Sequence, residues 1–327
     1  MSKPLFCLLF AVCLSGLLPL MAAADDYELV FADEFDQPDG SPPDPAFWTA
    51  SRRGGSVWNR WISTSPDVAF IHNGHLVCRA IPNPDTQSDN VPMLTGAVET
   101  RDKFSFTYGR VEVRLRTNVH KGNFPAAWMM PQPPCDAWPR AGEIDIFESI
   151  DAEHRAYHTL HTHWTYDLGH KTDPVSSFTT AVNVRQWHVY AVEWTEDKIT
   201  WSVDGREVGA YDRSDDSAVL AQGQWPFDHP FYLILNQSVG NGSWAKEADT
   251  AFTYETVFDW VRVYQRIPDA ISDLAATPPD RDSEASPRQW QNISSQVFDL
   301  CGRPVLNRQH SLSSGFYVID GRKYVVR

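Results

Sequence analysis

Three carboxylates near the middle of the chain fall within one short apolar segment. Glu143, Asp145 and Glu148 occupy the sequence Glu-Ile-Asp-Ile-Phe-Glu, which predicts a β-strand. Side chains alternate between the two faces of a strand, so Glu143 and Asp145 share a face, whereas strict alternation sends Glu148 to the other. A β-bulge around residues 146–147 would return Glu148 to the face of the other acids, and bulges occur beside active sites.

The bulged spacing sets the distance between the two glutamates. At roughly 3.3 Å per residue their Cα atoms lie about 13 Å apart, and inward-leaning side chains bring the carboxyl groups to roughly 5 or 6 Å. That separation suits a retaining glycosidase, in which one carboxylate attacks the sugar and the other serves as acid and then base. The alternative is an ordinary solvated strand face, because the chain holds 42 Asp plus Glu against 28 Lys plus Arg.

Five further segments accompany the acid motif, at residues 31–35, 106–114, 122–129, 225–236 and 258–264. Together with the motif they resemble glycoside hydrolase family 16 over roughly residues 26–265, because laminarinase-like members carry Glu-x-Asp-x-x-Glu. The resemblance implies an all-β fold, a β-sandwich jelly roll with a concave substrate cleft. It also implies endo-acting cleavage of β-1,3- or mixed β-1,3/1,4-glucan by double displacement, with no cofactor required for catalysis.

The resemblance assigns the roles of the acids. Glu143 is the expected nucleophile, Glu148 the acid and base, and Asp145 shares a hydrogen bond or a proton with its neighbours. Close like charges push one pKa upward, which we expect to keep Glu148 protonated while Glu143 is ionised. Three alternatives stay open: hydrolysis of an algal galactan, as in agarases and porphyranases, transglycosylation, and β-glucan binding without catalysis. Binding relatives typically lack one or both glutamates, and both are present here.

The remaining pattern predicts many short strands. Apolar residues alternate with charged residues over 110–116, and residues 187–194 and 199–203 predict paired strands. Asp204-Gly205 is a strong hairpin signal. Helical periodicity is scarce, so the sequence favours a β-sandwich or jelly roll.

Several residues are candidate sugar ligands. The chain has 13 Trp, and aromatic faces stack on sugar rings as on other apolar surfaces. We expect substrate contacts from Trp128, Trp138 and Trp225, which flank the matching motifs; burial in the core is the alternative for each. The resemblance adds Asn59 and Arg60, and less specifically Asn236 and Trp244.

Two histidines and a calcium site complete the candidates. His161 is expected to contact the substrate or the acids. A structural histidine is one alternative, and a metal pair with His163, which shares its strand face, is another. The resemblance also implies a structural calcium held by Glu34, Gly74 and Asp259. Oxygen ligands suit calcium, but ordinary surface carboxylates are the alternative.

Composition divides the chain into four parts. Residues 1–24 have the charged, apolar and small-residue sections of a signal peptide, followed by a catalytic domain over 25–266. Residues 267–291 form a Pro- and Asp-containing linker. Residues 292–327 predict a small β unit that resembles a Bacteroidetes-type C-terminal sorting tail.

These features predict a secreted monomer, located extracellularly, in the periplasm or on the cell surface, that acts on a polysaccharide. No later segment is long and apolar enough to span a membrane. The net charge of −14 argues against nucleic acid as a partner. Cys78, Cys135 and Cys301 have no metal-ligand spacing, and whether two of them form a disulfide stays open.

Overall fold

The computed structural model describes residues 27–267 and the backbone of three strands further along, at 297–299, 315–319 and 322–326. The predicted signal peptide and nearly all of the predicted linker lie outside the described residues. The chain divides into two compact units, residues 1–267 and 268–327. In the part described, no helix is long and apolar enough to cross a membrane.

The first unit is built almost entirely of antiparallel strands, as the sequence predicts. Its described strands are β1 (Tyr27–Asp33), β2 (Thr49–Ala50), β3 (Ala69–Ile71), β4 (Leu76–Pro82), β5 (Met93–Glu99), β6 (Gly109–Thr117), β7 (Asn123–Pro131), β8 (Glu143–Glu148), β9 (Arg155–His161), β10 (Ser177–Ala181), β11 (His188–Trp194), β12 (Lys198–Val203), β13 (Arg206–Asp212), β14 (Phe231–Val239) and β15 (Tyr254–Arg266). The described helical residues are a π-helical turn, His163–Asp167, and a single turn α1, Ser217–Leu220.

The strands form one nearly closed sheet in the order β10-β9-β8-β7-β14-β5-β4-β15-β6-β11-β12-β13, with β1 on β15, β2 on β5 and β3 on β4. The β4–β5 pair is the corner, and the two halves of the path pack face to face around one large core. For example, the Phe147 ring of β8 lies 4.5 Å from the Tyr190 ring of β11. This is the predicted jelly roll.

Local patterns behave as expected. Val111, Val113 and Leu115 of β6 are fully buried, whereas the charged residues between them are partly exposed. The hairpin between β12 and β13 turns through Asp204 and Gly205, both at positive φ (50° and 75°), which is the geometry that a two-residue hairpin requires.

The second face of β7 and β14 carries a smaller apolar cluster. Its buried members are Ala126, Trp128, Tyr232 and Ile234, with Trp58 and Met130 packed against them. Because Ala127 and Met129 point into the main core, these residues lie on the opposite face, which is the face that also carries the acids. They form the floor of the candidate cleft.

The second unit contains β16 (Val297–Asp299), β17 (Gly315–Ile319) and β18 (Arg322–Val326), which form an antiparallel sheet in that order. The prediction of strands in this tail is therefore confirmed. Its sorting role stays a prediction.

Candidate active site

Strand β8 contains the predicted bulge. Asp145 pairs with Trp128 of β7 and Thr159 of β9, and Glu148 pairs with Ala126 and Tyr157. Two residues of β8, Ile146 and Phe147, therefore lie opposite one residue of β9, and the register shifts there. Strict alternation is broken once, so Glu143, Asp145 and Glu148 lie on the same face, as predicted.

The apolar residues of the segment explain why the strand bulges. Ile146 and Phe147 are both fully buried in the main core. A regular strand would turn Phe147 toward the cleft and Glu148 into the core, so the bulge is the arrangement that buries both apolar side chains and leaves the acid outside.

The entry to β8 is set by Gly142. Its φ is +87°, and a Cβ atom at this position would lie 2.8 Å from the ring of Phe227. Glycine therefore allows both the left-handed backbone and the close approach of the ring.

His161 contacts the acids, as expected, and Trp138, which was predicted to contact substrate, contacts them too. The Trp138 indole Nε1 donates to Glu143 Oε2 at 2.7 Å. The His161 Nε2 lies 3.5 Å from Asp145 Oδ2 and 3.8 Å from Glu143 Oε1. Tyr166 of the π-helical turn joins them, with its ring 4.6 Å from Trp138 and 5.8 Å from His161. Trp138 and Tyr166 are about half exposed and present aromatic faces beside Glu143.

Burial raises the pKa of both glutamates. It raises the pKa of Glu148 to about 8, with a smaller contribution from the charge of Glu143. It raises the pKa of Glu143 to about 7, opposed by the hydrogen bonds from Trp138 and Asp145. The pKa of Glu143 thus lies below that of Glu148, which is the order that the expected roles require. The main cause, however, is desolvation, and mutual repulsion of the acids is secondary.

Asp145 completes the acid group. It is 1% exposed, and burial, then the charges of Glu148 and Glu143, raise its pKa. Its buried Oδ2 accepts no hydrogen bond from the described residues, and its carboxyl shares a hydrogen bond with that of Glu143. A protonated Asp145 that hydrogen-bonds to Glu143 removes a buried charge and stabilises the ionised form of Glu143.

His161 is neutral in this environment. Burial, with a smaller effect of the Lys171 charge, lowers its pKa to about 4, so its contacts with the acids are not ion pairs. The predicted strand-face pair with His163 is wrong, because β9 ends at His161 and Thr162 caps the π-helical turn. His163 instead hydrogen-bonds to Asp167 at 2.7 Å.

Other predicted ligands lie beneath or beside the cleft floor. Trp128 is 5% exposed, and its Nε1 donates to Asn236 Oδ1 at 2.8 Å. Asn236 is itself buried and fixes the Trp128 ring. Asn59 accepts from the backbone N–H of Ser56. Arg60 donates to the carbonyl of Gly240 at 2.9 Å, so its guanidinium joins two loops.

Trp225 is not placed as expected. It packs in the main core, stacked on Tyr211 at 6.1 Å and edge-on to Phe227 at 5.3 Å. Both contacts bury the ring, so the prediction that it binds substrate is wrong. Trp244, a weaker candidate, is 45% exposed and lies edge-on to Phe124 and Tyr157.

The residues proposed for calcium do not fit a cation site. Both oxygens of Glu34 accept from Arg262, at 2.8 and 3.0 Å, and Asp259 pairs with Arg114 and His75. Each carboxylate is already neutralised by an arginine, so little negative charge remains for a metal. Cys78 is a buried free thiol and Cys135 an exposed one.

Two buried residues contact the backbone of β8, and sequence reasoning did not assign either of them to the site. His158 donates to the carbonyl of Ile146, and Trp201 to the carbonyl of Asp145. No local motif marks them, because the contact between Trp201 and Asp145 spans 56 residues.

Known proteins are similar to this chain in sequence and in fold. The profile of glycosyl hydrolases family 16 matches residues 80–262. Keratan-sulfate endo-1,4-beta-galactosidase of Sphingobacterium multivorum is 36% identical over 248 residues, covering 74% of this chain and 56% of that enzyme. This chain thus spans little more than half of that relative's length. Beta-glucanase of Rhodothermus marinus is 34% identical over 256 residues, covering 74% of this chain and 86% of that enzyme.

Solved structures agree with the sequence comparison. The crystal structure of SCLam, a non-specific endo-beta-1,3(4)-glucanase, superposes with a TM-score of 0.65 at 31% identity, covering 76% of this chain and 94% of that one. The family profile spans more than half of the chain, and the acid group occupies the cleft face of the matching fold. This chain therefore belongs to glycosyl hydrolases family 16 and is a glycoside hydrolase.

Proposed function

We propose that this enzyme cleaves β-1,3- or mixed β-1,3/1,4-glucan internally, with retention of configuration, by double displacement. The observation that carries the proposal is the bulge of β8, which places Glu143, Asp145 and Glu148 on one face. Two ionisable groups with ordered pKa values, one charged and one protonated, are what this reaction requires.

The first step uses the charge of Glu143. Its carboxylate attacks the anomeric carbon while Glu148 gives its proton to the leaving oxygen, which forms a covalent glycosyl-enzyme. Trp138 and Asp145 hydrogen-bond to Glu143 and lower its pKa against the effect of burial. In the second step Glu148 removes a proton from water, and the water displaces Glu143 from the sugar.

The surroundings of the acids support an endo-acting enzyme on a neutral chain. Exposed aromatic rings flank the two ends of β8. Trp138 hydrogen-bonds to Glu143, and Trp244 packs on Tyr157, which pairs with Glu148. The cleft floor is apolar. At its edge, the charge of Arg101 is balanced by Glu99, 3.2 Å away.

A galactan substrate is the second candidate, because the keratan-sulfate relative is 36% identical. The two candidates share residues and mechanism and differ in the sugar. An algal galactan belongs to the same alternative. We also propose that residues 1–24 direct secretion and that the enzyme is monomeric; N-terminal sequencing of the exported protein and its hydrodynamic radius test these two points.

Product analysis tests the proposal. The purified enzyme is incubated with laminarin, barley mixed-linkage glucan, keratan sulfate and agarose, beside a Glu143→Gln variant. We expect oligosaccharides from laminarin or barley glucan, none with the variant, and a first-formed reducing end of β configuration by NMR. Cleavage of keratan sulfate or agarose alone would show that the substrate is a galactan and not a glucan. A first-formed product of α configuration would refute the retaining mechanism.

A further inference from the structure

The bulge in β8 leaves backbone carbonyls that the strand ladder does not pair. In a bulge, two residues oppose one, and the extra residue loses its regular partner. Here two buried side chains supply the missing donors. The Trp201 Nε1 donates to the carbonyl of Asp145 at 2.8 Å, and the His158 Nδ1 donates to the carbonyl of Ile146 at 2.8 Å.

The two donors approach the bulge from different strands. His158 lies on β9 between the partners of Asp145 and Glu148, directly opposite the bulge. Trp201 lies on β12, in the other half of the sheet, and reaches β8 across the core. Both side chains have no exposed surface.

We propose that His158 and Trp201 are positioning residues that hold the β8 bulge and thereby keep Glu148 on the cleft face. This inference rests on the proposed role of Glu148 as acid and base. A one-residue change of register turns each following side chain to the opposite face. A buried carbonyl without a donor is costly, so each donor stabilises the bulged strand over a regular one.

The environment of His158 fixes its donor atom. Burial lowers the pKa of His158 to about 4, so the ring is neutral and carries one proton. The Nδ1 faces a carbonyl, which only accepts, so the proton resides there. The Nε2 then accepts from the Thr180 hydroxyl at 3.2 Å. Trp201 is held by the Phe178 ring, 5.5 Å away.

A matched pair of tryptophan variants separates positioning from packing. Trp201→Phe removes the hydrogen bond to Asp145 and keeps most of the ring. Trp194→Phe is the control, because the Trp194 Nε1 also donates to a buried carbonyl, that of Phe227 at 3.0 Å, and the ring is equally buried. His158→Leu removes the second donor, and His158→Asn retains an N–H near the position of Nδ1.

Two substrates report on Glu148. Cleavage of the polysaccharide requires the proton of Glu148. An aryl β-glycoside with an acidic phenol does not, because the phenol leaves as the phenolate. In Trp201→Phe and His158→Leu we expect kcat on polysaccharide to fall by about tenfold to hundredfold, with KM within about twofold of wild type, since general acid–base catalysis contributes about 10²–10⁴. His158→Asn should recover most of the loss, and Trp194→Phe should resemble wild type.

Azide gives a specific signature. With the aryl glycoside, the covalent intermediate forms, but its hydrolysis is slow because Glu148 is not placed to deprotonate water. Added azide needs no base, so it should attack the anomeric carbon, release Glu143 and yield the β-glycosyl azide. Rescue is expected in Trp201→Phe and His158→Leu and absent in Trp194→Phe. Equal losses on both substrates without rescue, or equal losses in the two tryptophan variants, would overturn the inference.

Hydrogen exchange tests whether the two donors hold the bulge, and it does not depend on an activity assay. The backbone amides of β8 should exchange faster in Trp201→Phe and His158→Leu than in wild type. Their exchange rates should be unchanged in Trp194→Phe. A wild-type enzyme inactive on all glycosides would refute the proposed function, and the exchange comparison would still test whether the two donors hold the bulge. Unchanged exchange in all variants would refute it.

Discussion

Removing the hydrogen bond from Trp138 to Glu143 should shift only the acidic limb of the pH–activity profile. The Trp138 Nε1 donates to Glu143 Oε2 at 2.7 Å and lowers the pKa of Glu143. Trp138→Phe keeps an aromatic ring and removes this donor, so the pKa of Glu143 should rise. Trp138 is not among the causes that raise the pKa of Glu148, which are burial and then the charge of Glu143.

The size of the shift follows from the bond. Hydrogen bonds to charged groups contribute about 1.5–3 kcal/mol. Because Trp138 is 43% exposed, the lower end applies, and about 1.4 kcal/mol corresponds to about one pKa unit. The active form has Glu143 ionised and Glu148 protonated, between about 7 and about 8 in the wild type. A one-unit rise for Glu143 removes about nine-tenths of that form at pH 6 and almost none at pH 9.

The assay is kcat/KM from pH 5 to pH 10, which reports the ionisation of free enzyme. Loss of stacking raises KM by the same factor at every pH, so the shape of the profile isolates the hydrogen bond. Trp244→Phe is the control, because this exposed ring contacts Phe124 and Tyr157 rather than an acid. An acidic limb that stays in place or moves to lower pH in Trp138→Phe would refute the reasoning.

Three further predictions concern stability and domain organisation. Glu148→Gln should raise the Tm at pH 8 by roughly 10 °C (about 4 kcal/mol) and hardly at pH 4. The native state keeps the Glu148 proton up to a pKa of about 8, against an ordinary 4.5, so the carboxyl lowers stability as pH rises through that window. An equal gain in Tm at both pH values would contradict this. Gly96→Ala should cost about 3 kcal/mol or more, because its Cβ would lie 1.8 Å from the Val68 carbonyl, whereas Gly55→Ala meets nothing within 4 Å; thermal unfolding compares them. A chain ended after Ile267 should retain wild-type kcat, because the described site lies within the first unit; a lost kcat in a folded product would show otherwise.

The acid-bearing strand β8 was predictable because its sequence breaks the alternation of apolar and polar residues once. Two adjacent apolar residues, Ile146 and Phe147, cannot both face the core in a regular strand, so the bulge follows from the residues themselves. The alternation of β6 and the Asp204-Gly205 hairpin are local in the same sense.

Contacts between distant segments were not predictable. Trp138 and Trp225 both flank matching motifs, yet one is 43% exposed and the other 8%, because Tyr211 and Phe227 cover Trp225. The end of β9 at His161 depends on the Thr162 cap, which the pattern of alternating histidines conceals.

Energetics explain why a bulged strand persists at this site. A regular β8 would gain at most a ladder hydrogen bond, worth about 0.5–1.5 kcal/mol net, and would place Phe147 toward the cleft. Burying one large apolar side chain contributes about 1.5–3 kcal/mol, and the bulge buries both Ile146 and Phe147. Trp201 and His158 donate hydrogen bonds to the two carbonyls that have no partner in the strand ladder. The core face of β8 therefore favours the bulged strand, and its other face carries three acids whose pKa values are raised.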